Sequence, residues 1–367
     1  MEQRIITSEQ NYKALDEWIG EHKVFLVCDS SLSFLTGIKD HLDHLEKKGR
    51  VIVRFSDFQP NPLYESVVEG VDLFRQRKCD AMMAIGGGSA MDVAKCIKLF
   101  SNMDESKNYL EQTIIPNSIP FLAMPTTAGT GSEATRYAVI YFKGEKQSIT
   151  DLSCIPETVL MDSSVLRTLP LYQKKSTMLD ALCHAVESFW SVNSTRESKE
   201  YSSTALKLIM ANIDGYLANT DEGNSGMMLA ANIAGKAINI TQTTAGHAMC
   251  YKISSLFGCA HGHAAALCVR KLFPWMIHNS GKCIDPRGED YLKQTLNEIA
   301  KAMGCIGVAE GSQKFQDIFA ELELGVPEAT EEQYRILIHS VNPVRLKNHP
   351  VALDETSIDE LYHEILR

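Results

Sequence analysis

A chain of 367 residues exceeds the size at which one hydrophobic core stays efficient, so two domains are expected. Its 46 acidic and 36 basic side chains leave a formal charge of −10, which excludes nucleic acid or an anionic membrane as the main partner because both need a basic footprint. The ten cysteines form no CxxC pair, no run reaches about 18 apolar residues, and MEQRIITSEQ lacks a basic then apolar leader, so a cytoplasmic protein with thiols as small buried hydrophobes is expected.

In chain order, KVFLVCD (23–29), VIVRF (51–55), AMMAIGGG (81–88) and PFLAMPTT (120–127) are short β-rich runs separated by helical patterns, the signature of βαβ units and a parallel sheet. Between the second and third, NPLYESVVEGVDLFRQRKC predicts an amphipathic helix burying Val67, Val68, Val71, Leu73 and Phe74. RYAVIYF and KQSIT, joined by Lys143-Gly144-Glu145, predict a hairpin on the sheet edge, and ETVLMD (157–162) closes this half. After Leu166–Pro170 strand-like runs vanish and helical spacing continues to the C-terminus. The expected organisation is therefore an α/β nucleotide domain, 1–165, followed by an all-helical domain, 166–367, with the site in the cleft between them. Gly223–Gly226 and His278–Gly281 read as turns between helices, and Asn342-Pro343 and His349-Pro350 mark a late loop before a last helix.

Two turns carry the nucleotide reading. In MMAIGGGSAMDVAK a buried-type strand runs through Gly86, Gly87, Gly88 and Ser89 into a helix, where free backbone N–H groups and the helix dipole suit a pyrophosphate. PTTAGTGSE places three threonines and a serine at the end of another strand, supplying hydroxyls near a nucleotide or simply a capped loop. The pattern is not GxGxxG, and the candidate acid for a ribose 2′-hydroxyl, Asp29, precedes the glycines. A carboxylate there would repel a 2′-phosphate and favour NAD(H); the competing reading makes Asp29 a helix N-cap beside Ser30 and Ser31.

A metal constellation lies in the second half. Asp180 and His184, four residues apart in a strongly helical context, leave the same face, and His247 and His261 flank Gly258, which can turn the chain and bring both imidazoles together. One carboxylate and three imidazoles suit Fe(II), Zn(II) or a similar ion. A single buried histidine is more often a core residue, but Asp180 among Met178, Leu179, Ala181 and Leu182 is costly to bury without a cation. Glu187 reads as a solvated or supporting residue and not a ligand.

GGGSAMDVAK, PTTAGTGSE, DALCHAVES and the His247-to-His261 spacing together resemble the iron-containing alcohol dehydrogenase family over almost the whole chain. The resemblance implies a Rossmann-like N-terminal domain and a helical C-terminal domain in a dehydroquinate-synthase-like architecture, with one ferrous or zinc ion and NAD(P). By it Asp180, His184, His247 and His261 hold the ion, Gly86, Gly87, Gly88 and Ser89 take the pyrophosphate, Thr126, Thr127 and Ser132 line the nucleotide, and Lys146 lies near the ribose. Many members carry a histidine four residues after the third ligand, where this chain has Tyr251. Tyr251 and His263 are thus the candidates for proton relay, His263 having a backbone-carbonyl hydrogen bond as its alternative. EATRYAVI, SFWSVNST and HAMCYKISSLFGCAHGHA are most similar to the branch interconverting phosphonoacetaldehyde and 2-hydroxyethylphosphonate, and Arg136 and Lys252 are the candidate cations for such an anion. The expected partner is a small aldehyde or alcohol, and the chain is expected to be a homo-oligomer. Rival readings are a lyase or polyol dehydrogenase of the same architecture, a neutral-aldehyde enzyme, and a non-catalytic nucleotide binder.

Overall fold

The computed structural model describes residues 3–367. They form two compact units, one of residues up to Thr127 with Gly131–Thr168, the other of Ala128–Thr130 with Leu169–Arg367.

The first unit contains strands β1 (Arg4–Thr7), β2 (Val24–Cys28), β3 (Ile52–Phe55), β4 (Ala81–Gly86), β5 (Phe121–Pro125), β6 (Tyr137–Phe142), β7 (Glu145–Thr150) and β8 (Thr158–Met161). Six of them build one parallel sheet in the order β1-β8-β5-β4-β2-β3. Every residue of β2, β4 and β5 is buried, which is why these strands read as unbroken apolar runs. Helices Tyr64–Arg77 and Gly88–Phe100 pack into a core with Phe25, Phe55 and Met82. Val67, Val71 and Phe74 are the buried stripe of the first helix, and Val68 and Leu73 flank it half-buried. β1 escaped the sequence reading because RIIT is four residues long and only Ile6 is buried.

The expected hairpin forms, but it is a separate two-stranded antiparallel sheet and not an edge of the main one. Its backbone is tied instead to side chains of helix Gly88–Phe100: Lys95 Nζ donates to Tyr137 O at 2.7 Å, and Val139 N donates to Asp92 Oδ2 at 3.0 Å. All ten cysteines are free thiols and most are buried. Among the described residues no helix is long and apolar enough to cross a membrane.

The second unit is built from helices. Leu171–Trp190 starts after Pro170, and from Met178 to Trp190 every residue is buried, as expected for a helix enclosed on all sides. Around it pack helices Arg196–Leu217, Asp221–Thr241 and His261–His278. Gly223–Gly226 is not a turn; it lies inside the helix Asp221–Thr241, whose start is set one residue earlier by the Thr220 hydroxyl accepting from Gly223 N at 3.1 Å. The glycines serve helix contact. A Cβ on Gly223 would stand 2.1 Å from the Gly215 carbonyl carbon, and one on Gly226 would stand 2.3 Å from the Asn212 side chain.

Gly223→Ala should therefore force apart helices Arg196–Leu217 and Asp221–Thr241 and cost about 1–3 kcal/mol, the usual range for overpacking, or more because the obstacle is backbone. Thermal denaturation followed by circular dichroism measures this; an unchanged Tm would show that the helix pair yields freely.

Candidate metal centre and nucleotide site

Helix Leu171–Trp190 projects Asp180, His184 and Glu187 from one stripe, at spacings of four and three residues. The donor atoms of Asp180, His247 and His261 all lie within 4.8 Å of one another. Asp180 Oδ1 is 3.4 Å from His247 Nε2 and 3.7 Å from His184 Nε2, and the His184 and His247 rings stack at 4.6 Å. Three of the four residues expected from the sequence thus share one donor cluster, and His184 lies beside Asp180 and His247 without joining it. His247 comes from helix Ala245–Phe257 and His261 begins the next helix, the two joined through Gly258 at φ +69°. Gly262 permits the approach: a Cβ there would be 2.1 Å from Ser176 O and 2.6 Å from Asp180 Cβ.

Glu187 is not solvated. It is fully buried, and its Oε1 accepts from Thr244 N at 3.0 Å, Thr244 Oγ1 at 2.5 Å and Gly246 N at 2.9 Å. Its Oε2 takes the His247 Nδ1 proton in a close hydrogen bond. This commits Nδ1 to Glu187 and turns Nε2 toward Asp180, the nitrogen that would give up its proton to bind a metal ion. The signal was present in the sequence, since Glu187 shares the stripe of Asp180 and His184.

The electrostatics fit a dication. Burial opposes ionisation of Asp180, but His184, His247 and His261 outweigh it and hold the carboxyl below its ordinary range. Burial likewise opposes the Glu187 charge, and His247 with Thr244 holds that carboxyl low. Burial disfavours the charged form of His247 as well, yet Glu187 and Asp180 push its pKa up to about 9, whereas burial keeps His184 below its usual value. Two buried carboxylates among imidazoles leave a negative site that a divalent ion neutralises.

Tyr251 stacks on His261, ring centroids 5.5 Å apart, and its hydroxyl accepts from Arg345 Nη1 at 2.9 Å. Burial raises its pKa, with Arg345 opposing. His263 takes the alternative arrangement: its buried ring donates from Nε2 to Gly325 O at 2.9 Å, and Nδ1 faces Tyr172 Oη at 3.2 Å. Both nitrogens are committed to holding helix His261–His278 against its surroundings. Lys252 is half-buried beside Tyr251 on helix Ala245–Phe257. Arg136 belongs to the first unit, where its Nε donates to Tyr137 Oη at 3.2 Å and its guanidinium lies over that ring.

In the first unit, helix Gly88–Phe100 begins at Gly87 with no side-chain cap, so its first N–H groups are available to an anion. A Cβ on Gly86 would come 2.5 Å from Ala90 Cβ and 3.1 Å from Asp29 Oδ2, so only glycine allows the strand, the helix and the carboxylate to meet. Asp29 does two things: Oδ1 caps the following turn by accepting from Ser31 N at 2.8 Å, while Oδ2 faces the glycine turn. Gly88 and Ser89 form the first turn of the helix, and Thr127 stands against Gly87. Thr126 is buried, its N donating to Gly86 O at 3.0 Å. Ser132 is engaged internally, donating to Asp92 at 3.0 Å and accepting from buried Lys95 at 3.0 Å. Lys146 projects from β7 within the field of Asp92.

The chain matches two family models, "Iron-containing alcohol dehydrogenase" over residues 2–163 and "Fe-containing alcohol dehydrogenase family, C-terminal" over residues 174–365. It belongs to the iron-containing alcohol dehydrogenase family. An aldehyde-alcohol dehydrogenase of Streptococcus pneumoniae is 32% identical over 71% of this chain, which spans 31% of that protein's length. A phosphonoacetaldehyde reductase of Streptomyces viridochromogenes is 28% identical over 82% of this chain and 80% of its own. Among solved structures, a sulfoacetaldehyde reductase from Bifidobacterium kashiwanohense in complex with NAD+ superposes with a TM-score of 0.87 at 25% identity, covering 99% of this chain and 96% of that one.

Glu187→Gln should weaken zinc binding roughly 10- to 100-fold, the range for losing an outer hydrogen-bond partner of a ligating histidine, because the amide cannot satisfy His247 together with Thr244 and Gly246. Chelator competition on the purified protein reads this directly. Affinity equal to wild type would reduce Glu187 to a packing role.

Proposed function

We propose that this family member reduces a short, anionic aldehyde with NADH, phosphonoacetaldehyde to 2-hydroxyethylphosphonate being the reaction favoured. The observation that carries the catalytic part is the clustering of the Asp180, His247 and His261 donor atoms within 4.8 Å of one another, with His184 Nε2 3.7 Å from Asp180. Bound there, a ferrous or zinc ion supplies Lewis acidity to the substrate oxygen, and a bound nicotinamide supplies the hydride. The chain's own share is positioning. Asp180 contributes the balancing negative charge, Glu187 fixes His247, and Gly262 lets His261 reach the others. The uncapped helix at Gly87 holds a pyrophosphate, and Asp29 beside Gly86 receives the ribose hydroxyls and disfavours a 2′-phosphate. Tyr251 lays its ring against His261, with its hydroxyl held by Arg345, and walls the site on that side. Support for an anionic substrate comes from the similarity to reductases of phosphonoacetaldehyde and sulfoacetaldehyde, two-carbon aldehydes that carry a phosphono or a sulfo group.

NADH oxidation with phosphonoacetaldehyde and propionaldehyde, run with metal analysis, tests the reading. Higher kcat/KM for the phosphonate is expected, along with loss of nearly all turnover and most bound metal in His184→Ala or His261→Ala. Full activity in metal-stripped protein would sink the metal role, and preference for propionaldehyde would sink the substrate. Asp29→Ala should erode the preference for NADH over NADPH. An unchanged ratio of kcat/KM for the two cofactors would remove Asp29 from cofactor selection.

A further inference from the structure

We propose that Arg345 is the residue that receives the anionic end of the substrate, an inference that rests on the anionic-aldehyde reading above and assigns its recognition to one side chain. The guanidinium lies over the Tyr251 ring, 5.1 Å from its centroid, while its Nη1 donates to the Tyr251 hydroxyl at 2.9 Å. Tyr251 in turn stacks on His261, the one exposed member of the candidate metal centre. Arg345 is half-buried, and among the described residues no carboxylate pairs with it. One Nη1 contact leaves most of the guanidinium's five N–H donors uncommitted, and a planar fork of this kind binds tetrahedral oxyanions in a bidentate manner.

The segment that carries Arg345 is anchored, so the cation is held in place before substrate arrives. Asn342 caps the short helix Pro343–Leu346 by accepting from Val344 N at 2.9 Å. On the other side Asn348 accepts from Asn193 Nδ2 at 2.8 Å, donates to Gln242 Oε1 at 3.0 Å, and its carbonyl takes Val192 N at 2.9 Å. Spacing also matters. A single aromatic ring separates the guanidinium from His261, its centroid 5.5 Å from the imidazole and 5.1 Å from the guanidinium carbon. An oxyanion lying along the Tyr251 ring would meet a fork in Arg345, whereas Lys252, next in sequence to Tyr251, offers a point charge without one.

The test uses the metal-loaded protein with saturating NADH, two aldehydes and one inhibitor, methylphosphonate, assayed against propionaldehyde. Arg345→Gln should lower the ratio of kcat/KM for phosphonoacetaldehyde over propionaldehyde by roughly 10- to 100-fold, the worth of a charge-assisted hydrogen bond. It should raise the methylphosphonate inhibition constant by a similar factor, and Arg345→Lys should restore part of both. A wild-type preference for phosphonoacetaldehyde that survives in Arg345→Gln would overturn the assignment and leave the substrate reading standing. Equal losses on both aldehydes would also overturn it, because a residue that merely props Tyr251 affects them alike. If the wild type prefers propionaldehyde, the substrate reading fails, yet methylphosphonate inhibition lost in Arg345→Gln would still support the anion site. Inhibition that is absent from the wild type, or unchanged in the variant, would refute it.

Discussion

The structure of the second unit depends on one constraint: two carboxylates project from Met178–Trp190, a helical stretch in which every residue is buried. Asp180 and Glu187 sit seven residues apart on one stripe of Leu171–Trp190, both shielded from water. A single unpaired carboxylate in such a place costs several kcal/mol, and two would oppose the fold unless cationic partners surround them. The chain supplies those partners in order. Glu187 is satisfied by backbone and hydroxyl donors and by the His247 proton, while Asp180 faces only imidazole nitrogens. Imidazoles freed to present lone pairs cannot balance Asp180 as well as a metal ion can. The donor set is therefore arranged for a cation in charge as well as in direction.

That arrangement rests on small residues at the right places. Gly262 meets Ser176 and Asp180 where a methyl group would collide, and Gly246 meets Glu187 and Val269 in the same way. Both glycines stand next to a candidate ligand, Gly246 before His247 and Gly262 after His261. Their absence of side chain converts two helix starts into surfaces that can lie against the central helix, with the imidazoles carried inward. Trp190 completes the support, donating from Nε1 to the same Thr244 hydroxyl that donates to Glu187.

How much of this was legible in the sequence follows from how local each signal is. The central strands were readable because β2, β4 and β5 are buried on both faces and so are continuously apolar. Asp180 and His184 were readable because four residues is one helical turn, and Glu187 obeys the same rule once its burial is known. What local pattern could not reveal were pairings across long stretches of chain. Lys95 looks like a surface lysine after the glycine turn, yet it is buried and binds Ser132, Thr135 and Tyr137, some forty residues on. Gly223–Gly226 looked like a turn because glycine marks turns and close helix contacts alike, and only the neighbouring helix decides between them. The hairpin was recognised and misplaced for a related reason: its sequence sets its own register, while its position is set by Asp92 and Lys95.

Exposure gives the centre a direction. Asp180, His184 and His247 are 2%, 5% and 1% exposed, whereas His261 is open to solvent. Within the helical unit, then, a small molecule reaches the donor set on the His261 side. That side is walled by Tyr251, whose ring covers one face of His261 and whose hydroxyl is turned toward Arg345. A substrate arriving there meets a flat apolar surface with an oriented hydroxyl and a cation at its far edge. On the proposed reading such a wall would discriminate by charge: a short neutral aldehyde would gain the ring contact alone, and a short anionic one would also meet the guanidinium. The acidic balance of the whole chain would make this local cation the more selective on that reading, since long-range attraction does not draw anions indiscriminately. Selectivity would then lie in the contact with Arg345 itself.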